Sequence, residues 1–274
     1  MHPTESTPIT LTFLGTGTSI GVPVIACNCA VCKSADSRDK RFRTSALINT
    51  GNLNLVIDCG PDFRFQMLKN NVEDIDAVIF THEHRDHIAG LDDIRAFNYI
   101  LNKHIPIYGT RNVMEAIQTE FPYIFSENRY FGAPQLIINE ITEAPFNIGN
   151  TIITPIRVMH NKLPVMGYRI GNLTYITDAS FIPDEEKEKI KGTEILVLNA
   201  LRNSKHISHF SLSEALALIE ELQPQKAFLT HISHFLGRYE DIENKLPPNV
   251  HLAYDNLSIQ TGHKIRLPTI GLKT

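Results

Sequence analysis

No tryptophan occurs in the 274 residues, and cysteine is scarce at four. The missing tryptophan excludes little. The cysteines argue against a disulfide scaffold, because Cys27, Cys29 and Cys32 crowd together, and that spacing suits a metal ion better than paired bridges. No stretch approaches the ~18 consecutive apolar residues of a membrane-spanning helix. No early apolar run follows a basic flank, as it does in a secretory signal. Basic charge is not in excess: 26 Lys and Arg stand against 30 Asp and Glu, for a net charge of −4. The composition therefore carries no electrostatic footprint for nucleic acid. Internal repeats and low-complexity segments are missing too. The expectation is a cytoplasmic chain with reduced thiols, with neither membrane nor nucleic acid as partner, forming one domain over residues 1–274.

What the sequence has in quantity is histidine, twelve in all. The densest cluster lies in residues 81–95, THEHRDHIAGLDDIR, with His82, His84, Asp86 and His87 close together. Residues 77–80 precede it as a short apolar strand, and apolar residues resume at helical spacing at Ile88, Leu91 and Ile94. In an extended turn His82 and His84 share a face, whereas Asp86 and His87 at a helix start project differently. Four ligands aimed in two directions suit two metal ions better than one. Imidazole suits zinc, iron or manganese, and a carboxylate adds hardness and can bridge.

Cys27-x-Cys29-x-x-Cys32 supplies three thiolates to one tetrahedral ion and requires a fourth ligand from elsewhere. A site closed in this way leaves no position for water and is structural. Single candidates stand at the ends of apolar runs. Asp58 ends the strand 53–58, where it either orients a metal-bound histidine or caps the next helix as an Asx turn. His160 follows the strand 151–158, and Asp178 follows the strand 173–177, where a carboxylate can bridge two ions. His206 and His209 precede an amphipathic helix at 212–222, which Ser211 or Ser213 caps. His231 and His234 follow the strand 226–229; one suits the catalytic ions and the other the cysteine site. The glycine-rich residues 15–21 match neither phosphate-binding glycine motif and read as a tight strand exit.

Residues 9–14 alternate as a strand. Residues 43–49 and 53–58 form a hairpin about Gly51-Asn52, and 165–170 and 173–177 another about Gly171-Asn172. Helices are expected at 63–69, 92–101 and 112–120, further strands at 105–108 and 195–198, and short strands within 251–266. Residues 123–135, rich in aromatics, read as a surface loop whose rings pack onto the core. Strand runs precede helices once in each half. That points to an α/β chain with two sheets packed face to face and helices outside.

Asp58, His82-x-His84-x-Asp86-His87, His160, Asp178 and His231, in that order, resemble the metallo-β-lactamase superfamily. The resemblance implies an αββα sandwich of two mixed β-sheets and a dinuclear hydrolase. It implies that His82, His84 and His160 hold one divalent ion, that Asp86, His87 and His231 hold the second, and that Asp178 bridges them. The ions would be zinc or manganese, with iron also admissible. Gly15-Thr-Gly-Thr, the cysteine triad, Arg43-Thr-Ser and the Thr230-His-Ile-Ser-His234 ending are similar to the PhnP-type cyclic phosphodiesterases. That similarity implies a structural zinc on Cys27, Cys29, Cys32 and His234, and a catalytic role for His209. The expected function is hydrolysis of a small phosphodiester, cyclic ones included, by hydroxide held at the metals, with Asp58 supporting the site. A homodimer is compatible with the sequence. Three other readings stay open: an RNA 3′-end nuclease of the RNase Z type, a lactone or thioester hydrolase, and a non-catalytic metal protein like the pyrroloquinoline-quinone biosynthesis B protein.

Overall fold

The structure is a computed structural model that describes residues 8–262. Strands β1 (Thr10–Gly15), β2 (Ser45–Asn49), β3 (Asn54–Ile57), β4 (Ala77–Ile79), β5 (Ile105–Gly109) and β6 (Leu136–Glu140) belong to the first sheet. Strands β7 (Phe146–Ile148), β8 (Thr151–His160), β9 (Leu163–Ile170), β10 (Leu173–Tyr175), β11 (Ile195–Asn199), β12 (Lys226–Thr230) and β13 (Val250–Leu252) make the second. The last strand, β14 (Ser258–Gln260), returns to the first sheet beside β1, so the spatial orders are β14-β1-β2-β3-β4-β5-β6 and β13-β12-β11-β10-β9-β8-β7. Each sheet is mixed. β1, β2 and β3 pair antiparallel, then β3 to β6 run parallel. β7 to β10 pair antiparallel, then β10 to β13 run parallel.

The parallel halves require crossovers, and helices supply them. Helix α1 (Phe63–Lys69) joins β3 to β4; α2 (Arg85–Ile88) and α3 (Arg95–Leu101) join β4 to β5. Helices α4 (Arg111–Glu120) and α5 (Pro122–Phe125) join β5 to β6. In the second sheet α6 (Asp184–Ile190), α7 (Leu212–Leu222) and α8 (Tyr239–Glu243) do the same work. Helix α7 starts at Ser211, whose side chain accepts from the Glu214 amide while Glu214 reaches back to the cap amide; Ser211, not Ser213, is the cap.

Alternation along the strands sorts side chains into layers. Leu11, Phe13, Leu55 and Ile57 of the first sheet meet Tyr168, Tyr175, Val197 and Phe228 of the second in one inner core. Val56, Val78 and Phe80 point the other way, under α1 to α4. Leu196, Leu198, Ala227 and Leu229 point outward under α6 to α8. A strand such as β4 is therefore buried on both faces, which is why it reads as an unbroken apolar run. Each such fully buried side chain contributes roughly 1.5–3 kcal/mol. The Tyr168 hydroxyl, deep between the sheets, donates to the Phe80 carbonyl at 2.6 Å and leaves no unpaired polar atom at that point.

The layered α/β arrangement agrees with the sequence. Three local expectations do not. The helix expected at 92–101 is split: a 3-10 turn, Leu91–Ile94, precedes α3, and Gly90 separates it from α2. Gly90 lies so close to Gly60 that a Cβ on it would meet the Gly60 carbonyl at 2.0 Å, so the backbone turns there to dock. The aromatic residues 123–135 begin inside α5, and Phe131 is 93% exposed instead of packed. Strand β6 follows directly, hidden from periodicity because its pattern is half-exposed on both faces. The short strands expected within 251–266 are β13 and β14, in different sheets; the part beyond Gly262 lies outside the described residues. No helix among the described residues is long and apolar enough to cross a membrane.

Candidate metal centre

The site lies where strands of both sheets end. Asp58 follows β3, His82 follows β4, His160 ends β8, Asp178 follows β10 and His231 follows β12. Three of these residues, Asp58, Asp178 and His231, hold φ of 62°, 57° and 53°. Left-handed backbone is uncommon outside glycine and costs of order 1–3 kcal/mol. Here it turns each side chain back toward the gap between the sheets. Neighbouring hydrogen bonds fix the turns: Asn199 Oδ1 accepts from the Ala179 amide at 2.7 Å and its Nδ2 donates to the Ala179 carbonyl at 2.9 Å.

Asp58 is fully buried and accepts from the Thr81 amide at 2.8 Å and the Thr81 hydroxyl at 2.9 Å. Its Oδ2 also lies 2.7 Å from Nδ1 of His87. The alternative of an Asx cap for α1 fails, because Asp62 holds the cap position and binds Arg43 instead. Backbone packing assists: the Cys59 amide donates to the His87 carbonyl at 2.7 Å, and the Gly90 amide to the Cys59 carbonyl at 2.8 Å.

With Nδ1 held by Asp58, Nε2 of His87 faces inward. It is buried with no hydrogen-bond partner among the described residues, although Asp86 Oδ2 stands 3.2 Å away and Asp178 Oδ2 3.4 Å away. Around it, His82, His87 and Asp178 bring ligand atoms within 4.8 Å of one another, and so do Asp86, His87 and His231, and likewise His160, Asp178 and His209. His84 joins through Nδ1, 3.1 Å from Nε2 of His82. His160 turns Nδ1 toward the carbonyls of Asp178 and Ser208, at 2.8 Å each, which leaves its Nε2 for the cluster.

The charges fit a cation. Burial disfavours charge on His87, but Asp86, Asp58 and Asp178 more than offset it and hold its pKa well above the ordinary value. Burial likewise opposes charge on Asp178, yet His231 and His87 outweigh it and keep the carboxyl well below the usual range. Burial pushes His82 and His160 down, and His231 down to about 4. Neutral His82, His160 and His231 beside ionised carboxylates are in the protonation states a divalent ion requires, and His87 must release its proton to join them.

A second cluster lies nearby. His234 Nδ1 is 3.3 Å from Cys27 Sγ, 3.4 Å from Cys29 Sγ and 3.5 Å from Cys32 Sγ. All four ligand atoms lie within 4.8 Å of one another, a donor set suited to a tetrahedral soft ion. The Cys32 amide bond to its sulfur lowers Cys29 to about 6, and burial raises Cys32 to about 11.

The candidate ligands thus fall in two clusters, His231 with His82, His84, Asp86, His87, His160 and Asp178 in the first, against which Asp58 and His209 pack, and His234 with the three cysteines in the second. Missed were the hydroxyls behind them. Thr81 and Thr177 stand immediately before His82 and Asp178; the Thr81 hydroxyl donates to Asp58 Oδ2 at 2.9 Å and the Thr177 hydroxyl to Asp178 Oδ2 at 2.6 Å. A threonine directly before the ligand was the available signal.

Residues 53–232 match the family described as the beta-lactamase superfamily domain. The chain belongs to the metallo-β-lactamase superfamily. Within that superfamily it resembles the PhnP family. A solved structure described as a new diphosphatase from the PhnP family is 36% identical, with a TM-score of 0.87 over 92% of this chain and 97% of that one. An octanoyltransferase from Porphyromonas gingivalis is 40% identical over 247 residues, 89% of this chain but 50% of that protein; the chain spans about half its length. The anti-Pycsar protein Apyc1 of a Paenibacillus species is 28% identical over 208 residues, 71% of this chain and 84% of that protein. The fold of this chain is that of the metal-dependent hydrolases of this superfamily.

Proposed function

We propose that this superfamily member hydrolyses a small phosphodiester, cyclic or diphosphate-linked, at a dinuclear centre of zinc, manganese or iron. His82, His84 and His160 would hold one ion, Asp86, His87 and His231 the other, and Asp178 both. Zinc would occupy the Cys27, Cys29, Cys32 and His234 set as a structural ion, in a reducing cytoplasm. The observation that carries the phosphate reading is His209. Its Nε2 is 3.0 Å from Asp178 Oδ1, and its Nδ1 is backed by Ser208 Oγ at 3.0 Å and His206 Nδ1 at 3.2 Å.

Two divalent ions, when bound, supply Lewis acidity toward a phosphoryl oxygen and an acidified water, with a pKa near about 7. The chain's own residues do the remainder. Asp58 fixes the ring of His87, and the carbonyls of Asp178 and Ser208 fix that of His160. His209 stands at the edge of the cluster, where its Nε2 can give a proton to a departing oxygen. A carbonyl substrate with a good leaving group has less need of that proton. The diphosphatase described for the PhnP-family relative supports a phosphorus centre. The octanoyltransferase name belongs to a protein twice the matched length and keeps an octanoyl thioester in the test.

The test is metal-dependent turnover of bis(p-nitrophenyl) phosphate, a 2′,3′-cyclic nucleotide, a dinucleoside diphosphate, a lactone and an octanoyl thioester. Faster cleavage of either carbonyl substrate than of every phosphate ester would overturn the phosphodiesterase reading. No turnover of any of them with metal bound would support a non-catalytic metal protein.

A further inference from the structure

The glycine-rich turn after β1 has no place in the chemistry above, and it matches no phosphate-binding motif. Its backbone is nevertheless committed. The Ile232 amide donates to the Thr16 carbonyl at 2.8 Å, and the Thr18 amide to the Ile232 carbonyl at 3.2 Å. The turn therefore runs alongside the residue that follows His231. On its other side the Gly17 amide donates to the Phe42 carbonyl at 2.7 Å. Between the two stands Thr44, 1% exposed.

The Thr44 hydroxyl has two neighbours that matter. It donates to the Gly17 carbonyl at 2.7 Å, and it lies 3.1 Å from Nδ1 of His231. A carbonyl only accepts, and a hydroxyl has one proton. With that proton given to Gly17, the oxygen facing His231 has only lone pairs to offer. The other polar atoms near Nδ1 are Asp178 Oδ2, an acceptor at 3.1 Å, and Thr177 Oγ1 at 3.5 Å, whose proton is given to Asp178 Oδ2 at 2.6 Å. Nδ1 of a neutral His231 must then carry the hydrogen, and Nε2 must carry the free lone pair.

We infer that Thr44, braced by the Gly17 carbonyl, is the positioning residue that selects the Nδ1-protonated tautomer of His231 and so presents Nε2 to a divalent cation. The assignment rests on His231 being a ligand, as proposed above, but not on which ester is hydrolysed. It also gives the glycine-rich turn a function: its buried Gly17 carbonyl orients a hydroxyl, which in turn orients a ring. Two other histidines obey the same logic with different acceptors, Asp58 for His87 and two backbone carbonyls for His160.

Two measurements on the full chain test it. The first uses the metal-free native protein: long-range proton–nitrogen correlation of the imidazoles, with His231 assigned by the signal lost in His231→Gln. The expected pattern is that of an Nδ1–H ring, and an Nε2–H ring would overturn the inference. The second is calorimetric titration of metal-free protein with Zn²⁺ alone. Thr44→Val, nearly isosteric, should weaken one of the two active-site binding steps by roughly 10–100-fold, and Thr44→Ser should restore it. Native affinity in Thr44→Val, or equal losses in both variants, would overturn it. Should the valine variant not fold, the native tautomer and the serine titration still decide. Failure of the substrate panel would leave both readouts untouched, so the two proposals fail separately.

Discussion

The two histidines of Thr230-His-Ile-Ser-His234 stand three residues apart and serve two different kinds of cluster. Around His231 the donors come from the ends of strands in both sheets, they mix imidazole with carboxylate, and His82, His87 and Asp178 are almost wholly buried. Around His234 three donors come from one short loop, all are sulfur, and Cys27 and Cys29 are partly exposed. The first cluster gathers five histidines and two carboxylates, with a further histidine, His209, at its edge. The second has four and nothing to spare. A donor set drawn from many strands is held rigid by the fold and can leave room for a reactant. A donor set drawn from a loop must use the ion to hold itself together. The difference predicts that damage to the first cluster is read in turnover, and damage to the second in stability.

The largest effect should follow Asp178→Ala. It removes the carboxylate shared by the groups around His82 and His160, and turnover should fall by at least roughly 10³-fold, with the metal content of the cluster reduced. Far-ultraviolet circular dichroism should be unchanged. Activity within a few-fold of native would mean that Asp178 is not shared between two ions.

His209→Ala comes next, with kcat lowered by roughly 10²–10⁴-fold and both active-site ions retained. The loss should be greater for an alkoxide leaving group than for nitrophenolate, which scarcely needs a proton. Equal losses on the two esters would remove the acid role. Loss of a bound ion would make His209 a ligand, as its place beside His160 and Asp178 allows.

A smaller effect concerns pH. The pKa of His87 is raised well above its ordinary value, so the metal-free ring is protonated near neutrality and an ion must displace that proton. His82, His160 and His231 have lowered values and are already neutral there. Affinity of the metal-free protein for Zn²⁺ should therefore rise with pH by about tenfold per unit between pH 6.5 and 7.5, as one displaced proton requires. Calorimetry in buffers of different ionisation enthalpy would count the protons; release of none would contradict the charge pattern around His87.

His234→Ala should have the smallest effect on chemistry. Turnover per folded molecule should change little, while the thermal midpoint falls by roughly 5–10 °C, as expected for a loss of about 2–3 kcal/mol in a chain of this size. If turnover collapsed while the midpoint held, the contrast between the two clusters would be wrong.

Much of this was legible before folding. The order Asp58, His82 to His87, His160, Asp178, His231 is a property of the chain, and so is the apolar run before each ligand. Such runs are short because a strand crosses a small layer, and each ends in a polar residue because the chain there turns into the buried site between the sheets. The hairpins at Gly51-Asn52 and Gly171-Asn172 were legible for the same local reason. Strand β6 and the broken helix around Gly90 were not. β6 exposes part of each face, and Gly90 turns because Gly60, thirty residues earlier, occupies the space beside it.

By itself, the sequence determined which donors exist, which strands deliver them, and that cysteine and carboxylate chemistries are kept in separate segments. Those are matters of residue type and period, and local rules read them. Only the tertiary structure decided that Asp58, Asp178 and His231 turn through left-handed backbone to face one another, that Asp58 orients His87 and does not cap a helix, and that Thr44 and Gly17 stand behind His231. The physical reason is distance along the chain. A hydrogen bond between residues 44 and 231 leaves no period in the sequence, because its geometry is set by the packing of two sheets and not by either segment alone.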